Sequence, residues 1–77
     1  MIVQSRTFKK PGKFTIILTP KNPNETFDIM LDIPTEKIFY YNFHKQNQIF
    51  NVNAGDSIVI DLLRGDIEFF AIFDPAP

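Results

Sequence analysis

The 77-residue chain has no cysteine, no tryptophan, one histidine and only three glycines. Without cysteine it can form no disulfide, and no thiolate is present to hold zinc or attack a carbonyl. One imidazole cannot build a histidine-rich metal site, and three glycines cannot furnish a phosphate-cradling loop. No run of carboxylates has the spacing of a calcium loop. The expectation is therefore no metal and no cofactor. No apolar run approaches the ~18 residues of a membrane-spanning helix. The opening stretch "MIVQSRTFKK" also shows no apolar segment behind a basic one, as a signal peptide would. An intracellular or cytoplasmic, soluble protein that does not engage a membrane is expected. Asn24-Glu25-Thr26 fits the glycosylation sequon, but the sequon carries no weight in a chain that is not secreted.

Acid is missing from one part of the chain. Residues 1–21 hold Arg6, Lys9, Lys10, Lys13 and Lys21 and no carboxylate, while residues 22–77 hold nine acids against Lys37, Lys45 and Arg64. The net charge of −1 thus divides into +5 and −6. Such a division can steer an acidic partner or orient copies of the chain positive end to negative end, or it can simply solubilise loops and outer faces.

Phenylalanine is abundant. Nine Phe and two Tyr, each burying roughly 150–250 Å², are a large apolar supply for a chain this short. A domain of this size buries only about 60% of its unfolded surface, and small domains commonly need a staple or a partner. With disulfides and metals set aside, dense packing and oligomerisation remain.

The periodicity is that of strands. In "TFDIMLDI", Phe27, Ile29, Leu31 and Ile33 alternate with Thr26, Asp28, Met30 and Asp32. A period of two sends one set to the core and the other to solvent. Further strands are read at 2–8, 14–19, 37–44, 49–53, 57–63 and 67–73. Between them lie "KKPGK", where Pro11-Gly12 suits a type II turn, the proline-rich "PKNPNE", and turns at "KQNQ", "AGD" and "RGD". "IPTEKIF" has room for one helical turn, and "DPAP" is expected not to pair. The fold class predicted is all-β: about seven short antiparallel strands in a small sandwich or flattened barrel, with residues 1–77 forming a single β-domain. Arg64-Gly65-Asp66 matches the tripeptide read by integrins. It sits where a hairpin needs a left-handed Gly and a turn-bonding Asp, and the chain shows no export signal, so it is read as a turn.

Catalytic groups are not evident. Asp28 and Asp32 share one strand face but lie about 13 Å apart, beyond the ~5–9.5 Å of glycosidase carboxylate pairs. His44 stands at a strand end beside Lys45, where an exposed imidazole is the plainer reading. No enzyme is expected. Contact surfaces are better marked. A two-layer β-domain needs one apolar face per strand, and two strands have apolar residues on both. In 67–73 the core face is assigned to Ile67, Phe69, Ala71 and Phe73, which leaves Phe70 and Ile72 outside with Glu68. In 37–44 it is assigned to Phe39, Tyr41 and Phe43, which leaves Ile38 and Tyr40 outside with Asn42 and His44. Met30, between two aspartates, is a further outer apolar group. Met30, Ile38, Tyr40, Phe70 and Ile72 are the candidate interface; cover within one subunit, or a bulge that exchanges the faces, would remove residues from it.

The function expected is a non-enzymatic protein–protein interaction or assembly module. It would self-associate as a homo-oligomer or dock on a larger assembly, in a structural or accessory role such as that of a virion protein. The alternative is an OB-like domain binding single-stranded nucleic acid through Arg6, Lys9, Lys10 and Lys13. A pI near 5.6 weighs against it, since backbone binders favour values above about 9. An oligosaccharide-binding module with Tyr40 or Tyr41 as stacking platform is a third reading.

Overall fold

A computed structural model describes all residues, 1–77. Seven strands form: β1 (Ile2–Thr7), β2 (Gly12–Pro20), β3 (Phe27–Asp32), β4 (Lys37–Phe43), β5 (Gln46–Val52), β6 (Ser57–Arg64) and β7 (Ile67–Pro75). No helix is present, so none is long and apolar enough to cross a membrane. The strands make two antiparallel sheets, one of four strands in the order β1-β6-β3-β4 and one of three in the order β5-β2-β7. The three-stranded arrangement follows from β2, the long apolar strand "FTIILT", which pairs on both sides. Every connection except β3–β4 crosses from one sheet to the other. The result is a sandwich with four strand edges, as expected in class and strand number.

The core is the set of inward residues that alternation selects. Phe14, Ile16 and Leu18 of β2 face Phe27, Ile29 and Leu31 of β3 and Ile58 and Ile60 of β6, all with no exposed surface. Phe8, Val52, Leu62 and Ile67 close the ends. In β2 and β3 every second residue is buried, so the sequence period and the packing agree.

Several boundaries differ from expectation. β5 begins at Gln46 rather than 49, since Gln46, Asn47 and Gln48 pair with Leu18, Ile17 and Ile16 of β2. Pro75 is drawn into β7 opposite Gly12. Gly12 has no positive φ, so Pro11-Gly12 is not a type II turn. Gly12 is needed instead for close approach, because a Cβ there would overlap the Asp74 carbonyl oxygen and lie 2.8 Å from the Pro75 Cα. The "IPTEKIF" segment makes no helical turn. Ile33 and Glu36 exchange backbone hydrogen bonds of 3.0 and 3.3 Å around Pro34-Thr35, a tight hairpin.

Arg64-Gly65-Asp66 joins β6 to β7 across the sheets. Gly65 takes φ +94°, and a Cβ there would stand 2.9 Å from the Thr26 carbonyl oxygen, so glycine serves both conformation and space. Arg64 folds back onto β3. Its Nε donates to Asp28 Oδ2 at 3.2 Å and its Nη2 to Asp28 Oδ1 at 3.1 Å, to Thr26 Oγ1 at 2.8 Å and to Asn42 Oδ1 at 3.2 Å. That side chain is committed within the fold.

Candidate contact surface

The face assignment of β4 is corrected by the structure. Ile38 and Tyr40, expected outside, turn inward. They lie in register with Leu31 and Ile29 and pack on the core, while Phe39 and Tyr41, expected inside, stand 51% and 59% exposed. The cause is an added residue. From Phe27↔Phe43 to Ile29↔Tyr40, β3 advances by two and β4 by three. Asn42 absorbs the difference at φ 56°, a left-handed conformation that Asn tolerates better than most residues. Its N–H donates to Asp28 Oδ1 at 2.8 Å and its side-chain oxygen accepts from Arg64. Phe43 and Tyr40 therefore both point inward, with ring centroids 4.7 Å apart. The Tyr40 hydroxyl donates to Gln48 Oε1 at 3.1 Å, which closes the β4–β5 side of the sandwich.

The same cluster sets the charge state of Asp28. Hydrogen bonds from Arg64 and then from the Asn42 N–H hold its carboxyl below the usual value, and partial desolvation opposes them. Arg64, Asp28 and Asn42 act together as a clip that fixes the bulge.

Phe70 and Ile72 do lie on the outer face of the three-stranded sheet, 58% and 49% exposed. The β5-β2-β7 register joins them to residues from elsewhere. One row reads Asn47, Ile17, Phe70, and the next reads Ile49, Thr15, Ile72. Ile49 is 62% exposed, so Ile17, Ile49, Phe70 and Ile72 form one apolar patch around Thr15. Lys13, Asn51 and Asp74 bound it at one end, and Thr19 and Glu68 at the other. Sequence reasoning missed Ile17 and Ile49; "IILT" and "NQIF" signal strands, but only the strand order puts their outer residues beside Phe70. Met30 sits on the other sheet's outer face, half-buried between Phe39 and Asp61. That face also carries Tyr41 and Leu63, yet Asp28, Asp32, Asp61 and Arg64 interrupt it. Phe39 and Tyr41 lie nearly parallel, 7° between planes and 6.2 Å between centroids.

The basic residues divide. Arg6 turns inward on edge strand β1, and its guanidinium carbon lies 5.2, 5.6 and 5.2 Å from the ring centroids of Phe8, Phe14 and Phe73. Lys9 and Lys10 line the same shallow concavity of about 250 Å³. Lys13 is elsewhere, on the outer face of β2. Three cations thus gather at the open β1/β7 side with no carboxylate paired to any of them.

The fold and its surface define an all-β two-sheet sandwich with an apolar patch on the outer face of its three-stranded sheet. Comparison with protein-family models, with curated proteins and with solved structures finds no match to this chain.

Proposed function

We propose that the protein is a non-enzymatic assembly module that works by burying the outer face of its three-stranded sheet, against further copies of itself or a larger assembly. The observation that carries this reading is the patch of Ile17, Ile49, Phe70 and Ile72. Monomers seldom leave contiguous apolar surface uncovered, and such patches rimmed by polar residues are contact surfaces. The lack of a staple in a 77-residue chain supports it, since association adds burial that a single small core does not supply. An intracellular setting accords with the reading.

The test is molar mass by light scattering over a hundredfold range of concentration, on the native chain and on Ile49→Lys. The native chain should show a mass above 8.9 kDa, and the variant a smaller mass at the same concentration with an unchanged circular dichroism spectrum. An Ile49→Lys protein that keeps the native mass would refute burial of this face.

The corner of Arg6, Lys9 and Lys10 favours a second reading, binding of single-stranded nucleic acid through phosphates. The two sheets do not close into the five-stranded barrel of OB domains, so this reading rests on the cations alone. It expects retention on single-stranded DNA at low salt, lost when Lys9 and Lys10 become Glu. A native chain that passes through such a column unretained removes it.

A further inference from the structure

Four strands have a free edge: β1 and β4 in one sheet, β5 and β7 in the other. Exposed edges invite strand addition, and proteins blunt them with bulges, inward charges, prolines or polar side chains. β1 carries a register shift between Ile2 and Gln4 and turns Arg6 inward. β4 carries the added residue at Asn42. β5, "QNQIFNV", is mostly amide side chains. Between Ile67 and Phe73, β7 has no bulge, no inward charge and no proline, with Glu68 as its one polar side chain. It is nine residues long, pairs with β2 without a break, and reads "IEFFAIF" before its terminal Asp74-Pro75.

Its free hydrogen-bonding groups can be assigned. The Lys21 N–H donates to the Asp66 carbonyl and the Ala76 N–H to that of Pro11, both at 3.0 Å and both on the β2–β7 register. Bonded pairs alternate along an antiparallel ladder, so Glu68, Phe70 and Ile72 bond to β2. Ile67, Phe69, Ala71 and Phe73 turn their N–H and C=O groups to the open edge, where no other strand of the chain meets them.

We infer that this edge is where a second copy of the chain adds its own β7, antiparallel, to make one continuous six-stranded sheet. The inference rests on the assembly reading above and names the partner at this edge. The strand is complementary to itself. Pairing through the free groups places Phe69 opposite Ala71 of the second copy, a large residue beside a small one, and Ile67 opposite Phe73. Phe70 meets Phe70 on the two-fold axis of the outer face. About eight interchain hydrogen bonds form over about 24 Å. A register two residues further toward the C-terminus would set Pro75 opposite Ile67, which loses a donor. Net charge favours antiparallel pairing as well. Arg6, Lys9 and Lys10 outnumber Asp74 around Phe73 at one end of β7, and Asp66 and Glu68 outnumber Lys21 around Ile67 at the other, while Asp66 itself comes to stand opposite Asp74 of the second copy. Each copy's basic end therefore lies along the acidic end of its neighbour, and the cationic corners are kept roughly 20 Å apart. The joined sheet also unites two apolar outer faces.

A two-stranded contact of this length is small beside standard interfaces, so the equilibrium is expected to depend on concentration and to weaken with salt. The decisive variant is Ala71→Pro. It removes a donor from the free edge and leaves every β2 bond in place, whereas Ile72→Pro breaks the β2 ladder. Ala71→Pro is expected to weaken dimerisation more than about tenfold with an unchanged dichroism spectrum, while Ile72→Pro loses structure. If Ala71→Pro does not fold, amide exchange in the native chain decides. Protection at Phe69, Ala71 and Phe73 should rise with protein concentration. Free exchange of those amides in the associated protein overturns the inference, as does a folded Ala71→Pro with native mass. The two proposals separate cleanly. If Ile49→Lys lowers the mass and Ala71→Pro does not, the edge fails and the face stands; the reverse result keeps the edge and discards the face. A native chain that stays at 8.9 kDa throughout overturns both.

Discussion

Replacing Phe70 with Asp separates the contact surface from the core within one residue. Folding leaves 58% of Phe70 exposed, so roughly two fifths of a side chain of about 200 Å² is removed from water. At about 25 cal/mol/Å² that burial is worth at most about 2 kcal/mol. The poorer strand propensity of Asp adds up to about 1 kcal/mol. A domain of this size has roughly 4–12 kcal/mol in hand, so the subunit should stay folded. Association should not survive. The substitution deletes the centre of the apolar patch and sets two carboxylates against each other across the proposed axis. The measurement is paired: urea denaturation followed by dichroism, and light scattering over a hundredfold range of concentration. The expected result is a cooperative transition at somewhat lower urea and a mass of 8.9 kDa at every concentration. Phe14→Asp is the control, since Phe14 has no exposed surface and a carboxylate there should abolish folding. The reasoning is refuted if Phe70→Asp unfolds as Phe14→Asp does, or if it folds and keeps the native mass.

Arg64→Ala should release Asp28 and Asn42, raise the titration midpoint of the Asp28 carboxyl as read by NMR, and loosen the β4 bulge. Because the folded-state value is depressed, the stability it contributes is fully present above the unfolded value. It is lost as pH falls through the folded one, so acid unfolding of Arg64→Ala should begin at higher pH than in the native chain, or show no less acid resistance if the clip is idle. Tyr40→Phe removes one half-buried hydrogen bond and should cost about 0.5–1.5 kcal/mol by urea denaturation, with Tyr41→Phe near zero; equal effects would contradict the inward placement of Tyr40. Gly65→Ala forces a side chain into the left-handed region beside the Thr26 carbonyl and should destabilise by about 1–2 kcal/mol or more. Thermal melts would check this, and an unchanged midpoint would refute the stated role of Gly65.

The β class, the number of strands and most of the core were legible in the chain because alternation is local. A strand such as "FDIMLD" states which of its residues face inward whatever it pairs with. The turn at Gly65 was legible for the same reason, since φ is a property of one residue. The outward Phe70 and Ile72 could be read because Glu68 marks their face. The faces of β4 could not be read. Their inversion depends on Asn42 adopting a left-handed conformation, and what holds it there is Asp28 from β3 and Arg64 from β6, 14 and 22 residues distant. Alternation counted back from Phe43 passes straight through the bulge and comes out on the wrong side. The contact surface was half legible. Ile17 and Ile49 join Phe70 only because β2 lies between β5 and β7, and β7 has a free edge only because nothing follows it in that order. Pairing order is decided by how whole strands bury their faces together, an interaction at long range that no window of sequence contains.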